Sequence, residues 1–200
     1  LGMARNILKA GFPLIGYDVR EESLGKIEET GGQRAESPRE VAERARLTVV
    51  AVLNYPQVEQ AVFGEKGLQE GAKPGDAMVI MSTISPGQVK ETAQKLGSKG
   101  VQVLDAPVSG GKEGAAAGTL SIMVGGEKAV FDRCLPIFQA MGRNVRHLGG
   151  LGSGMSMKLV NNLLVAVNGL AVAEAMVLGK KAGLDGDLER PALEVGVDRL

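Results

Sequence analysis

Residues 47–53, Leu-Thr-Val-Val-Ala-Val-Leu, carry one hydroxyl and nothing else that prefers water. A strand with one wet face alternates apolar and polar positions. An unbroken, largely β-branched run instead suits a strand covered on both faces, the habit of parallel sheets between layers of helix. The flanking sequence supplies those helices. Leu1, Met3, Ala4, Ile7, Leu8 and Ala10 recur at helical spacing up to a terminating Gly11. Pro13–Tyr17 reads as a buried strand ended by Asp18. A charged helix over 20–30 follows, then a short strand at Gln33–Ala35 and a helix opened by Ser37-Pro38, with Glu40 at capping-box spacing. Beyond the apolar run the pattern predicts helix 56–63, strand 77–81, helix 86–98, strands 101–104 and 120–124, helix 127–140 and a short strand at Asn144–His147. Strands alternating with helices predict an α/β fold, a doubly wound parallel sheet.

At Gly149-Gly150-Leu151-Gly152-Ser153-Gly154 the character changes. Met155–Ala182 is one helical pattern interrupted only by Gly169 and Gly179, about 42 Å long at about 1.5 Å per residue. It is apolar around most of its circumference and is expected to be buried. Lys180, Lys181 and Gly183 suit its carboxyl end. The expected domains are 1–148 and 149–200, the second opening an all-α domain. A net charge of zero and 3% aromatic residues provide neither a basic patch nor a stacking platform, so nucleic acid is not expected as a partner. The single cysteine, Cys134, lies among Phe131, Leu135 and Phe138 and reads as a buried structural thiol in a reducing, cytoplasmic setting. No uncharged apolar run reaches about 18 residues, so no membrane span is expected. Leu1–Arg5 does not read as a signal peptide, and no metal site is expected.

The most informative stretch is 105–126, Asp-Ala-Pro-Val-Ser-Gly-Gly-Lys-Glu-Gly-Ala-Ala-Ala-Gly-Thr-Leu-Ser-Ile-Met-Val-Gly-Gly. Glycines after a strand let the backbone approach an anion and aim N–H groups at it, and parallel sheets bind ligands at that edge. The same residues also serve as a plain chain reversal. Asp18, after its strand, suits either a ribose-binding carboxylate or a turn. Leu53-Asn54 and Ser82-Thr83 close their strands at the same edge, and Ser82-Thr83 can equally cap the helix beginning at Pro86. Lys158 and Asn162 share one helix face by their spacing, although a lysine on an apolar helix ordinarily reaches out to solvent. His147 is a second candidate base. Gly150-Leu151-Gly152-Ser153-Gly154 approximates a dinucleotide fingerprint, but Met155 stands where the third glycine belongs and no βαβ unit follows.

Asp105–Gly111 followed by Gly118-Thr119-Leu120-Ser121-Ile122-Met123-Val124-Gly125-Gly126, together with Gly154–Asn162, resembles the substrate-binding and catalytic segments of the β-hydroxyacid dehydrogenases. That family includes 3-hydroxyisobutyrate dehydrogenases, tartronate semialdehyde reductases and L-threonate dehydrogenases. The resemblance covers nearly all of residues 1–185 and implies a Rossmann-type sheet and hydride transfer between NAD and a small 3-hydroxy acid. It implies that Lys158 is the general acid/base, that Asn162 orients substrate, and that Ser109, Gly110 and Gly111 hold the substrate carboxylate. Tyr17-Asp18-Val19 resembles NAD-preferring members, which makes NADP the lesser cofactor, although Arg20 is able to meet a phosphate. Leu53 and Asn54 would line the dinucleotide, and Thr83 its nicotinamide end.

Members begin before the stretch resembling Leu1-Gly2-Met3-Ala4, with a first strand and the G-x-G-x-x-G turn, and continue in helices past Gly183. The resemblance therefore implies an incomplete sheet at the amino end and a long helix whose partners follow. Leu184–Leu200, polar and broken by Pro191, departs from the family pattern. Expected consequences are an inactive chain as it stands, self-association through 155–182, and a mitochondrial setting if a transit peptide precedes it. Leu53–Val58, Phe63–Gly67 and Ser82–Ser85 are nearest in wording to L-threonate dehydrogenases. The alternatives are a relative with imine reductase chemistry, in which the lysine is usually replaced, and a non-catalytic dinucleotide-binding or dimerisation module.

Overall fold

A computed structural model describes residues 1–184, and the departure expected after Leu184 lies outside the described residues. The order is α1 (Gly2–Lys9), β1 (Ile15–Gly16), α2 (Glu21–Glu29), β2 (Gln33–Arg34), α3 (Pro38–Arg44), β3 (Leu47–Val50), α4 (Tyr55–Phe63), α5 (Leu68–Gly71) and β4 (Ala77–Ile80). It continues with α6 (Pro86–Gly97), β5 (Gln102–Asp105), β6 (Val108–Ser109), α7 (Gly111–Ala117), β7 (Ser121–Val124), α8 (Lys128–Met141), β8 (Asn144–His147) and α9 (Ser153–Lys181).

Three ladders result. β1 pairs with β2, β3–β4–β5 run parallel side by side, and β7 pairs with β8 in parallel and with β6 in antiparallel sense. A single antiparallel bridge, Asp105 to Gly125, ties the second ladder to the third. The parallel, doubly wound expectation is met, with β6 as an antiparallel addition. β6 and α7 occupy the stretch between strands 101–104 and 120–124, where the sequence pattern predicts no element.

Strand β4 shows why the fold is doubly wound. Ala77, Val79 and Met81 enter one core with Phe131, Cys134, Phe138 and Met141 of α8. Met78 and Ile80 enter the other, with Val58 and Val62 of α4 and Val89 and Leu96 of α6. Successive side chains of a strand point to opposite faces, so an all-apolar strand requires a helical layer on each side. The fully covered strand is β4, however, and not the 47–53 run. β3 alternates half-buried with buried residues and ends at Val50, and Leu53 is 86% exposed. It is hydrogen-bonded on one side only, and an edge strand is covered less. The Pro13–Tyr17 strand contracts for the same reason to Ile15–Gly16, half-buried rather than buried.

Local chemistry sets the helix ends. Asn54, Ser37 and Ser85 each cap their own helix by accepting from the backbone N–H three residues on, and each is followed by proline in the first turn. Ser85 and Gln88 complete a reciprocal capping box, so the expected alternative role of Ser82-Thr83 as cap of α6 is corrected: Ser85 performs it. Gly11, at φ +87°, ends α1 in a Schellman motif, with Gly11 N–H donating to Leu8 and Phe12 N–H to Ile7.

Two compact units divide at Lys158/Leu159, inside α9, so the glycine cluster and the start of α9 belong with the sheet. In the second unit α9 is not buried as its composition predicts. Leu163 is 64% exposed and Leu178 70%, and the buried residues of the helix are Gly154 and Met155. The described residues hold nothing that covers this face. By length and mean hydropathy (1.7 over 18 residues), α9 is also long and apolar enough to cross a membrane. The uncharged run between Lys158 and Glu174 stays shorter than about 18 residues, so the two measures differ because an average tolerates a charge that a run does not.

Candidate active site

Register brings the functional loops to one edge. Val50 of β3 lies opposite Ile80 of β4, which lies opposite Asp105 of β5, so three parallel strands end level. Leu53-Asn54, Ser82-Thr83 and Ser109-Gly110-Gly111 all follow those ends, at the carboxyl edge where open α/β sheets bind ligands.

The individual residues fall into two groups. Asn54 is engaged as the cap of α4, its Oδ1 accepting from Gln57 N–H at 3.1 Å, while Leu53 N–H donates to Gln57 Oε1 at 2.9 Å. Ser82 is buried, and its Oγ accepts from Val52 N–H at 2.8 Å, stitching the chain after β3 to the chain after β4. Thr83, beside it, is exposed. Ser109 is half-buried, and Gly110 and Gly111 are exposed at φ +129° and +64°, a conformation that L side chains rarely adopt. Among the described residues no hydrogen bond engages the side chain of Thr83 or Ser109, while the backbone of Ser109 pairs with Ser121 and Gly110 O accepts from Gly114 N–H at 2.8 Å.

Asp18 follows β1. Its Oδ1 accepts from Arg20 N–H at 2.9 Å and Nε at 3.0 Å, and its Oδ2 from Nη2 at 3.1 Å. These bonds, led by the guanidinium, hold the carboxyl below its ordinary value of 3.8, so it stays ionised at neutral pH. Val19 is 87% exposed. Arg20, read from sequence only as a possible phosphate contact, is thus Asp18's bidentate partner.

Lys158 lies in the second turn of α9, half-buried, and burial pushes its amine below the ordinary lysine value of 10.5. Asn162, exposed and one turn further along the helix, belongs to the second unit. His147 is occupied elsewhere. Its Nε2 bonds Gly126 O at 2.8 Å and its ring lies 5.1 Å from that of Phe131, centroid to centroid, a structural place. Cys134 is fully buried, and burial raises its thiol, as expected of a structural cysteine.

One residue escaped the sequence reading as a site residue. Asp105 is completely buried, its Oδ1 accepting from Gly152 N–H at 2.8 Å and its Oδ2 from Met155 N–H at 2.7 Å. Burial raises this carboxyl and the backbone N–H groups lower it, with burial the larger effect. Glycine is required around it. A Cβ on Gly154 would lie 2.2 Å from Met123 O, and one on Gly125 2.4 Å from Asp105 Oδ1. An aspartate at a strand end looks like a turn former, and nothing local in the sequence marks it as the cap of a helix 47 residues away.

With this geometry in place, comparison with known proteins is specific. Residues 1–149 match the NAD binding domain of 6-phosphogluconate dehydrogenase, and residues 152–198 match the NAD-binding region of NADP-dependent 3-hydroxyisobutyrate dehydrogenase. The chain is 39% identical to 2-hydroxy-3-oxopropionate reductase of Escherichia coli over 198 residues, 97% of this chain and 66% of that protein. It is 38% identical to the mitochondrial 3-hydroxyisobutyrate dehydrogenase of Mus musculus, over 98% of this chain and 59% of the relative. The crystal structure of 3-hydroxyisobutyrate dehydrogenase from Salmonella typhimurium superposes with a TM-score of 0.85 at 35% identity, covering 96% of this chain and 67% of that one. The chain thus spans about three-fifths to two-thirds of the length of its curated relatives.

Proposed function

The chain belongs to the β-hydroxyacid dehydrogenase family, and from that premise we propose that the protein carrying it transfers hydride between NAD and a small 3-hydroxy acid. The observation that carries this reading is Lys158: an amine half-buried at the start of α9, its pKa depressed by burial, in the compact unit whose strand ends present Ser109-Gly110-Gly111. A neutral amine is the form that accepts a hydroxyl proton, and burial brings that form closer to working pH.

A nicotinamide dinucleotide fits this edge, because an ionised carboxylate, Asp18, follows β1 and Thr83 is exposed beyond β4. Asp18 and Val19 would hold the adenosine ribose, Leu53 and Asn54 would flank the dinucleotide, and Thr83 would stand at the nicotinamide. When bound, the cofactor supplies the hydride acceptor. The chain's own part is binding and proton transfer. Ser109 Oγ and the backbone of Gly110 and Gly111 grip the substrate carboxylate, which fixes the carbinol carbon in place. Lys158 Nζ takes the hydroxyl proton in oxidation and returns it in reduction. Asn162 is assigned to substrate orientation by resemblance alone.

The retained lysine favours dehydrogenase over imine reductase chemistry, and favours an enzyme over a silent module. The exposed apolar face of α9 is read as covered by protein, including a second copy of the chain, and not by lipid. We place the protein in the cytoplasm, with the mitochondrion the setting given in the mouse relative's name. The test is a panel of 3-hydroxy acids, threonate-like sugar acids among them, presented with NAD to the intact protein while NADH absorbance is followed. Reduction of NAD by at least one member is expected. Absence of turnover across the panel in a folded protein that binds NAD refutes the reading.

A further inference from the structure

Among the described residues, three helices are capped by the side chain of the residue just before them: Ser37, Asn54 and Ser85. In α9 the oxygens come from another element. Asp105, the last residue of β5, puts one carboxylate oxygen on Gly152 N–H and the other on Met155 N–H. Its backbone meanwhile pairs with Gly125, by Asp105 N–H to Gly125 O at 3.1 Å and Gly125 N–H to Asp105 O at 2.8 Å. One residue therefore joins the end of β5, the end of β7 and the beginning of α9. The chain leaves the same residue through Ala106-Pro107 to reach Ser109-Gly110-Gly111.

We propose that Asp105 is a positioning residue for Lys158: its buried carboxylate clamps the first turn of α9 to the strand end from which the substrate-carboxylate segment departs. The proposal rests on the dehydrogenase reading of Lys158 and Ser109–Gly111. Met155, held by Oδ2, precedes Lys158 by less than one helical turn, about 4.5 Å along the axis at about 1.5 Å per residue. The height and azimuth of the lysine are therefore set by this clamp. Reacting groups need placement to within about 1 Å, beyond which losses of about 10²-fold are ordinary.

Energetics point the same way. A buried carboxylate with no cation beside it is costly, and no basic side chain pairs with Asp105 among the described residues. Burial outweighs the N–H groups in its titration. A buried carboxylate that uses both oxygens on one helix start is explained by geometry. Gly125 and Gly154 leave room for it where any side chain would collide.

The experiment is Asp105→Asn in the intact enzyme, with Asp105→Ser as the milder variant. The amide has the shape of the carboxylate but turns a donor toward one of the two N–H groups. The expected result is a tenfold to hundredfold fall in kcat with the dissociation constant for NAD unchanged. In the pH profile of kcat/KM for oxidation, the Lys158 limb should move upward as a loosened α9 hydrates the amine. Loss of a negative charge alone would move that limb down, and a smaller folded fraction would not move it at all. Hydrogen exchange at Gly152 and Met155 should quicken while β4 stays protected. Unchanged kcat with an unshifted limb overturns the proposal, as does lost activity with an unshifted limb and uniform loss of protection. If the wild-type enzyme oxidises no 3-hydroxy acid, the dehydrogenase reading is what fails. Exchange at Gly152 and Met155 then still decides whether the clamp exists.

Discussion

Replacing Lys158 by methionine separates chemistry from structure. Methionine keeps a four-atom apolar stem, with sulfur in place of Cδ, and lacks the amine. If that amine moves the hydroxyl proton, turnover should fall by about 10²–10⁴, equivalent to about 2.7–5.5 kcal/mol of barrier. Stability should move the other way or not at all. Burial lowers the Lys158 pKa, so the folded state binds fewer protons than the unfolded chain between the depressed value and 10.5. Stability therefore rises with pH through that window, and below it the ammonium is a cost to the fold. Methionine removes that cost, and Tm at neutral pH should hold or increase. The assay is initial-rate NADH formation over a pH series for both proteins, with calorimetric titration of NAD. Wild type should show a limb in kcat/KM below the ordinary lysine range, and the variant should lack it. Turnover within tenfold of wild type, or an identical limb in the variant, would refute the assignment of Lys158.

Further outcomes follow from the rest of the chain. Asp18→Ala should lower the ratio of kcat/KM for NAD over NADP by about ten- to a hundredfold, the worth of hydrogen bonds to a charged group. An unchanged ratio would mean that Arg20, released from Asp18, had no part in cofactor choice and that Asp18 had none either. Ser85→Ala breaks the capping box of α6 and should cost about 0.5–2 kcal/mol, read as a lower urea midpoint at constant m. Leu163→Glu with Leu170→Glu charges one exposed face of α9 and should shift the mass seen by light scattering toward the monomer. An unaltered mass would remove that face from any self-association.

The elements that local chemistry governs were legible in the sequence. Periodicity marked α1, α6 and α9, Gly11 and Gly183 marked helix ends, and the apolar runs marked a two-faced sheet. These depend on neighbours within a turn or a strand, and such neighbours are written next to one another. That Asp18, Asn54, Thr83 and Ser109 lie at or just past strand ends was legible for a related reason, because the apolar runs before them mark where strands stop. What the sequence left undecided depends on distant partners. Coverage of β3 against β4 is set by which strand has a neighbour on each side, and the same apolar run suits either place. The hydroxyl of Ser82, which the sequence also offers as a cap of α6, instead accepts from Val52 N–H across the sheet. Asp105 is the sharpest instance: a residue written as a turn former becomes a buried clamp because folding brings α9 onto the end of β5. Burial and long-range hydrogen bonds are properties of that juxtaposition, and only the tertiary structure supplies it.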